Sequence, residues 1–297
     1  MPRLTWGDAA IFLLPAVLVM LVIALYPFVY TVVLSFQNWN LAAFQPRRFV
    51  GVNNYLAFFT DPDVWRALKV TALYVLGAVG IELTLGIMIA FLFDVGFRGE
   101  SLARNLLLLP MVMSSVVVGL IWRWIFNAEL GVLNYLLGLV GVPRQAWLTE
   151  PGLALAAVIT ADVWQWTPLV FLVCLAGLKA VPPDTLDSAR LDGATWWQIQ
   201  RYVALPAIKP ILLSVLLIRT IDCLRSVDAI FIMTYGGPAG STGVLGFHIY
   251  LKGFKLFQMG LTAAYSLIYM ALIIVLAKLL ISSFRLREQE EAAGALQ

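Results

Sequence analysis

Long apolar runs separated by short polar connections dominate the pattern of this chain. A membrane helix needs about 20 consecutive, mostly apolar residues to cross the hydrocarbon core, and six runs reach that length with few charges. The predicted spans are residues 11–36, 69–94, 104–124, 153–178, 209–233 and 259–283. The pattern therefore predicts an all-α, polytopic membrane protein whose six transmembrane helices form a single domain over residues 1–297.

Two further stretches need an interpretation of their own. Residues 130–143 are apolar but too short to span and are interrupted by glycines, so we expect an interfacial or re-entrant segment there. No charge occurs between Asp8 and Arg47. That run is too long for the core of a signal peptide, and it predicts a first membrane helix that is retained.

Composition and charge narrow the class further. Hydrophobic residues make up 61% of the chain and charged ones only 12%, against about 25% charged residues in soluble domains. The net charge of +3 comes from scattered basic residues, which argues against a nucleic-acid surface. Cys174 and Cys223 lie in apolar runs, where they are expected to pack as small hydrophobic residues.

The connections between spans predict an orientation. Residues 37–68, 125–152 and 234–258 lie on one side, whereas residues 95–103 and 179–208 lie on the other side with both termini. Lys and Arg are slightly more frequent on the second side. Since basic residues favour the cytoplasmic side, we expect both termini in the cytoplasm.

The fifth span is unusual because it contains Arg219, Asp222, Arg225 and Asp228. A charged residue at the bilayer centre costs about 2.5–3.5 kcal/mol on insertion scales. In one hypothesis Arg219, Asp222 and Ser226 share one arc of the helix and line a polar substrate pathway. In the other, charges three residues apart pair within the helix and neutralise one another.

Other polar residues within or beside the spans allow two interpretations each. Glu82 and Asp162 are solitary acids, which either bond neighbouring helices or face a polar path. Trp166 is either an interfacial anchor or a stacking surface for a sugar ring. His248 has no partner in the sequence, so we assign it no role.

Capping rules predict a helix–glycine–helix elbow between spans four and five. Asp184 is expected to cap the first helix, and Gly193 to supply the left-handed residue after it. Thr195 and Gln198 have the spacing of a capping box that starts a second helix. Pro206 is expected to end that helix, because its ring cannot continue the hydrogen-bond ladder.

This elbow also carries a recognisable motif. Its order and spacing resemble the EAA signature of permease subunits of binding-protein-dependent ABC importers, on the residues Asp187, Ser188, Ala189, Gly193, Val203, Leu205 and Pro206. Asp187, Ser188 and Val203 depart mildly from the usual Glu, Ala and Ile. The resemblance implies that residues 179–208 form the coupling loop that docks into an ATPase subunit.

Further blocks resemble the MalF-type sugar permease branch of that family. They comprise residues 49–55, 104–110, 119–124, 131–134, 234–238 and 250–266. The resemblance implies the type I ABC importer permease fold and a subunit that moves a sugar, an oligosaccharide or disaccharide, with ligand contacts on the helix of Trp166. It also implies a multi-pass location in a bacterial or archaeal cytoplasmic membrane.

The implied partners are a second permease chain, two ATP-binding cassette subunits and an extracytoplasmic solute-binding protein, with membrane lipid around the helices. ATP would bind to the partner subunits, because this sequence has no Gly-x-x-x-x-Gly-Lys-[Ser/Thr] loop. It also has no catalytic or metal-binding signature, so we expect no enzyme activity, no cofactor and no metal in this chain. The alternatives are an ABC permease for glycerol-phosphate or a polyol, and an ion-coupled transporter that uses Glu82, Asp162 and Asp222 as relay acids.

Overall fold

The described part of the chain is predominantly helical, with one short antiparallel sheet. The computed structural model describes residues 6–43 and 46–294. In chain order the helices are α1 (Trp6–Met20), α2 (Tyr26–Ser35), α3 (Asn53–Thr60), α4 (Pro62–Asp94), α5 (Glu100–Val112), α6 (Ser115–Ile125), α7 (Val132–Leu139), α8 (Pro151–Lys179), α9 (Pro183–Leu191), α10 (Trp196–Ile199), α11 (Leu205–Ala207), α12 (Lys209–Arg225), α13 (Asp228–Met233), α14 (Leu245–Phe254) and α15 (Met259–Gly294). Strand β1 (Gln37–Asn38) pairs with β2 (Arg48–Phe49).

Four single helical stretches in the described chain are long and apolar enough to cross a membrane. They are Leu13–Ser35, Pro62–Asp94, Pro151–Lys179 and Met259–Ser282. The number rises to six if each of two bent helix pairs counts as one span. The predicted class, an all-α protein with several membrane helices, is confirmed.

The chain divides into two compact units. One consists of Met1–Val64 with His248–Leu272, and the other of Trp65–Phe247 with Ile273–Gln297. In the first unit Phe58 packs edge-on against Tyr265, with ring centroids 5.1 Å apart. In the second, α4 and α8 share a buried apolar core around Phe93 and Phe171.

The predicted third span, residues 104–124, is not one continuous helix. Helices α5 and α6 meet at 102° across the break at Met113 and Ser114. A break inside a membrane leaves backbone groups without partners, and here Gln165 of α8 donates its side-chain N–H to the carbonyl oxygen of Met113 at 3.0 Å. The buried amide of Gln165 thus helps to make the bend tolerable.

The predicted fifth span, residues 209–233, is also interrupted. Helix α12 ends at Arg225, Ser226 is extended, and α13 begins at Asp228. Helix α13 packs closely on α6 at Gly119, where an added Cβ would lie 3.1 Å from Cβ of Ile232. Because Gly119 carries no side chain, the second halves of the two interrupted helices, α6 and α13, can approach each other.

Prolines are accommodated by locally widened turns. A π-helical turn, Leu21–Leu25, comes directly before Tyr26 and Pro27, and another, Gln200–Ala204, comes directly before Leu205 and Pro206. In the second case the Leu205 N–H donates to the carbonyl of Gln200, five residues back. The helix ends at Ala207, one residue after Pro206, close to the expected stop, and the widened turn before Leu205 accommodates the proline ring.

Two glycines of α4 provide a test of the packing between α4 and α8. An added Cβ at Gly86 would lie 2.6 Å from a methyl group of Val170 and 3.0 Å from the Phe171 backbone nitrogen, whereas one at Gly80 meets nothing within 4 Å. We expect Gly86→Ala to destabilise the protein by about 1–3 kcal/mol, because a stiff side chain and a backbone must shift. Gly80→Ala should be neutral or slightly stabilising, because alanine favours helix.

The measurement is the thermal unfolding of both purified variants in the same detergent. Equal melting temperatures for the two variants would contradict the close approach of α4 and α8 at Gly86.

Candidate functional site

The guanidinium of Arg219 on α12 is only 1% exposed, and its partner Glu82 on α4 is fully buried. The Nε and Nη2 atoms of Arg219 donate to the two carboxylate oxygens of Glu82 at 2.7 and 2.9 Å. Nη2 also donates to Oδ2 of Asp162 at 2.9 Å. The three side chains, which we call the ion cluster, join α4, α8 and α12.

The ion cluster is held by geometry as well as by charge. The contact with Glu82 is bidentate, which is the strongest form of guanidinium–carboxylate pairing. Removing one partner from such a buried set leaves an uncompensated charge and typically costs about 3–5 kcal/mol. The cluster therefore acts as a fixed junction between three helices.

The ion cluster is not suited to hold a metal. Donor atoms of Glu82, Asp162 and Cys223 lie within 4.8 Å of one another, a spacing that a metal ion could use. However, the Arg219 guanidinium already binds both carboxylates, and its Nη2 lies 3.2 Å from the Cys223 sulfur. A metal cation would have to displace this positive charge.

Two side chains connect the ion cluster to less buried surroundings. The Trp166 ring lies under the guanidinium, with Cζ of Arg219 4.8 Å from its centroid. Oδ2 of Asp222 lies 3.8 Å from Nη1 of Arg219, and the Asp222 side chain is 43% exposed. Trp166 and Asp222 are thus partly open, whereas Arg219 is closed off.

The elbow between α8 and α12 has the predicted local design. Gly193 has φ of +80°, the left-handed conformation in which a Cβ is strained. The Thr195 N–H donates to Oε1 of Gln198 at 2.7 Å, and the Gln198 N–H donates to Oγ1 of Thr195 at 3.4 Å. The predicted glycine and capping box are confirmed.

The predicted cap at Asp184 is wrong. Helix α9 begins at Pro183 with Pro182 at its N-cap, so Asp184 lies inside the first turn. Proline is preferred at the first helical position because it has no N–H to leave unpaired. The acidic side chain still lies near the positive end of the helix dipole.

The motif residues lie on and after α9. Asp187 forms an exposed ion pair with Arg190 at 2.7 Å. The Ser188 hydroxyl donates to the Asp184 carbonyl at 2.8 Å, and the Ala189 carbonyl accepts from the Ala194 N–H at 3.1 Å. Leu205 and Pro206 belong to α11.

The elbow is also fastened to the end of α4, which the sequence did not indicate. Asp94 accepts from the Gln200 amide at 3.4 Å and lies 3.4 Å from Nζ of Lys179. Trp196 and Trp197 both contact Phe91 edge-on. The elbow is therefore attached to α4 as well as to the two helices beside it.

A second polar cluster lies in the other unit. Asp61 accepts from Lys252 at 3.0 Å and from Tyr265 at 3.2 Å, and its Oδ2 lies 3.8 Å from Nε2 of His248. Burial lowers the pKa of His248 and nearby Lys252 lowers it further, so the imidazole is neutral at neutral pH. Asp61 is thus an acidic neighbour of His248 that the sequence did not reveal.

Comparison with known proteins assigns the chain to a family. The family model described as "Binding-protein-dependent transport system inner membrane component" matches residues 82–284. The chain belongs to this family. The permease is therefore a membrane transport component of ABC importers, and the resemblance seen in the elbow motif is confirmed.

Relatives and solved structures agree with this assignment. The probable ABC transporter permease protein y4oQ of Sinorhizobium fredii is 38% identical, with 91% of this chain and 87% of the relative covered. The trehalose/maltose transport system permease protein MalF of Thermococcus litoralis is 32% identical, with 88% of each chain covered. The fold is also that of a chain in the crystal structure of a bacterial alginate ABC transporter, in complex with an alginate pentasaccharide-bound periplasmic protein. The TM-score is 0.81, the sequence identity is 20%, and 92% of both chains is covered.

The predicted pathway residues of the permease differ in their surroundings. Arg219 lines no open space in this structure, because Glu82 and Asp162 enclose it. Ser226 does not share a helical arc with Arg219, because α12 ends at Arg225. Pathway roles for Trp166, Asp222 and Ser226 remain predictions.

The ion cluster predicts a sharp contrast between two neighbouring charges. Arg219→Gln should prevent accumulation of folded permease, because it strands two buried carboxylates. Asp222→Asn should leave folding intact. Asp222 is partly exposed, and at 3.8 Å from Nη1 of Arg219 its carboxylate is too far away to form a hydrogen bond with the cluster.

The readout is the amount of monodisperse permease in detergent extracts of membranes. Glu82→Gln added to Arg219→Gln should restore part of the yield, because one of the stranded charges is gone. A normal yield from Arg219→Gln alone would show that the cluster is not required for folding.

Proposed function

We propose that this permease imports a saccharide, a disaccharide or oligosaccharide, with energy from ATP hydrolysis on separate subunits. The family membership supports an ABC importer, and the trehalose/maltose permease at 32% identity supports a sugar. The observation that carries the coupling part is the elbow, a capped helix pair joined at Gly193 and fastened to α4, α8 and α12.

The proposed mechanism uses the elbow as a lever. Two ATP-binding cassette subunits would grip residues 179–208 on this permease and the matching segment of a second permease chain. Closure of the ATPase pair would move the elbow and tilt α8 and α12, which opens the pathway outward. An extracytoplasmic binding protein would deliver the solute, and ATP hydrolysis would reverse the movement. This is a rigid-body switch between two states.

The proposal also includes an orientation in the cytoplasmic membrane. The elbow and both termini would lie in the cytoplasm, where the ATPase subunits are. The segments after the first span and before the last would then lie outside. ATP would bind to the partner subunits, and this chain would hold no cofactor or metal of its own.

Trp166 and Asp222 are the side chains that we place along the solute pathway. Both are partly open and both touch the ion cluster, which fixes their positions. An aromatic face suits the apolar face of a sugar ring, and a carboxylate accepts bonds from hydroxyl groups. Arg219 already pairs with the carboxylates of Glu82 and Asp162 and is 1% exposed, which disfavours its use as a counterion for glycerol-phosphate.

Asp222→Asn tests the solute pathway. In a reconstituted importer we expect uptake of the transported sugar to fall severalfold or more, because a hydrogen bond to a charged group is worth about 1.5–3 kcal/mol. The measurement is labelled-sugar uptake, across a panel of neutral and anionic sugars, per assembled complex. Uptake equal to the parent would remove Asp222 from the pathway, and failure of the parent to import any sugar would refute the proposed cargo.

Gly193→Val tests the lever. Valine at a φ of +80° is strained by at least about 1–2 kcal/mol, although nothing lies within 4 Å of its Cβ. We expect normal membrane insertion but loss of solute-stimulated ATP hydrolysis. Gly193→Asn is the matched control, because asparagine tolerates this conformation. Normal stimulation in the valine variant would refute the coupling role.

A further inference from the structure

A polar pocket lies in the first unit, between the end of α2 and the start of α15. Its volume is about 380 Å³, within the range of roughly 300–1,000 Å³ of small-molecule sites. It is lined by Asn38, Trp39, Asn40, Val50, Asn53, Asn54, Gln258 and Leu261. These residues are far along the chain from the elbow and from the ion cluster.

Backbone contacts give the pocket a fixed shape. The Leu41 N–H donates to the Phe257 carbonyl at 2.9 Å, and the Gly260 N–H donates to the Trp39 carbonyl at 3.2 Å. At Gly260 an added Cβ would lie only 1.8 Å from the Gln37 carbonyl oxygen, so the two segments approach as closely as backbones can. The walls are therefore preorganised.

Two of the amide side chains serve the structure itself. Asn54 donates to the Ser35 and Gln37 carbonyls at 2.8 and 2.9 Å. Asn40 accepts from the N–H groups of Ala42 and Ala43 at 2.9 and 3.3 Å. These bonds hold the rim of the pocket and explain why those two amides are needed there.

The other amides have unused bonding capacity. Within the described residues, the side chains of Asn38 and Asn53 are exposed and make no hydrogen bond, and the buried Oε1 of Gln258 has no donor. Gln258 follows Phe257, whose φ of 56° is rare for a bulky residue. Such strain is retained where a local geometry is needed.

The lining has the chemistry of a site for a neutral polyhydroxyl ligand. The exposed amides of Asn38 and Asn53 each offer both a donor and an acceptor, as a pair of neighbouring hydroxyls requires. Trp39 adds a flat ring, which the Arg47 guanidinium stacks on at 3.8 Å and steadies. Among the described residues that line the pocket none is charged, and the nearby Arg47 guanidinium is stacked on the Trp39 ring.

We propose that this pocket is a saccharide site that holds one sugar ring at the outer end of the first and last spans. The proposal rests on the proposed function and its orientation. It adds a location in the first unit at which this chain would bind the solute. Asn38, Asn53 and Gln258 would bond the hydroxyls, and Trp39 would contact the ring.

Cysteine protection tests occupancy of the pocket directly. Asn53→Cys is placed in the complete importer, and its reaction with a membrane-impermeant maleimide is followed in nanodiscs. The two native cysteines are buried and should stay silent. Maltose or trehalose should slow the labelling severalfold, whereas glutamate should not. Thr60→Cys, exposed on α3 but outside the pocket, is the matched control and should react equally with and without sugar.

Each result has a distinct meaning. Unchanged labelling at Asn53→Cys, in a parent importer that transports the sugar, overturns the pocket and leaves the proposed function standing. Protection by the solute-binding protein without sugar also overturns it, because the pocket would then be a protein contact. Protection by sugar in a parent that transports no sugar supports the pocket and refutes the proposed function.

Transport kinetics provide a second measurement. Asn53→Ala combined with Gln258→Ala should raise KM for the sugar at least fivefold, since one neutral hydrogen bond is worth about a fivefold change in affinity. The maximal rate and complex yield should stay near the parent values. Asn105→Ala, an exposed amide on α5, should leave KM unchanged. An unchanged KM in the double variant would contradict the proposal.

Discussion

A buried guanidinium has to be satisfied within a largely apolar bundle, and this requirement organises the larger unit of the permease. Arg219 draws one carboxylate from α4 and another from α8, so three helices are fixed at one level. The side chains next to Arg219 are positioned by the same cluster. Trp166 is held under the guanidinium, Asp222 is held at its edge, and α12 stops six residues after it. Because burying charges is costly, such a cluster adds little net stability. Its main effect is to hold the three helices in one defined arrangement.

The sequence predicted those features that depend on local rules. The apolar runs predicted the helices, Gly193 predicted the left-handed residue, and Thr195 with Gln198 predicted the capping box. Each of these needs only neighbours a few residues away. The motif around Asp187 predicted the family, because the order and spacing of its residues match the signature even though Asp187, Ser188 and Val203 differ from the usual residues.

The features that it missed depend on partners distant in the chain. The charges of the fifth span invited pairing three residues apart, but Arg219 pairs with acids 137 and 57 residues earlier. The break after Val112 depends on an amide from another helix, Gln165, which no periodicity reveals. Asp184 was displaced as a cap because two prolines precede it, and proline already sets the helix start. The local pattern thus lacked mainly the information on which distant residues supply the hydrogen bonds and ion pairs of buried polar groups.

The sequence separation within the ion cluster also has a consequence for biogenesis. Glu82 leaves the ribosome 137 residues before Arg219, which at about 5–20 residues per second is roughly 7–27 seconds. During that interval the helices that carry Glu82 and Asp162 enter the membrane without their counterion. A chain truncated before Arg219 keeps both acids unpaired indefinitely. Completion of the fifth span is therefore the step at which a cell could distinguish a complete permease chain from a truncated one.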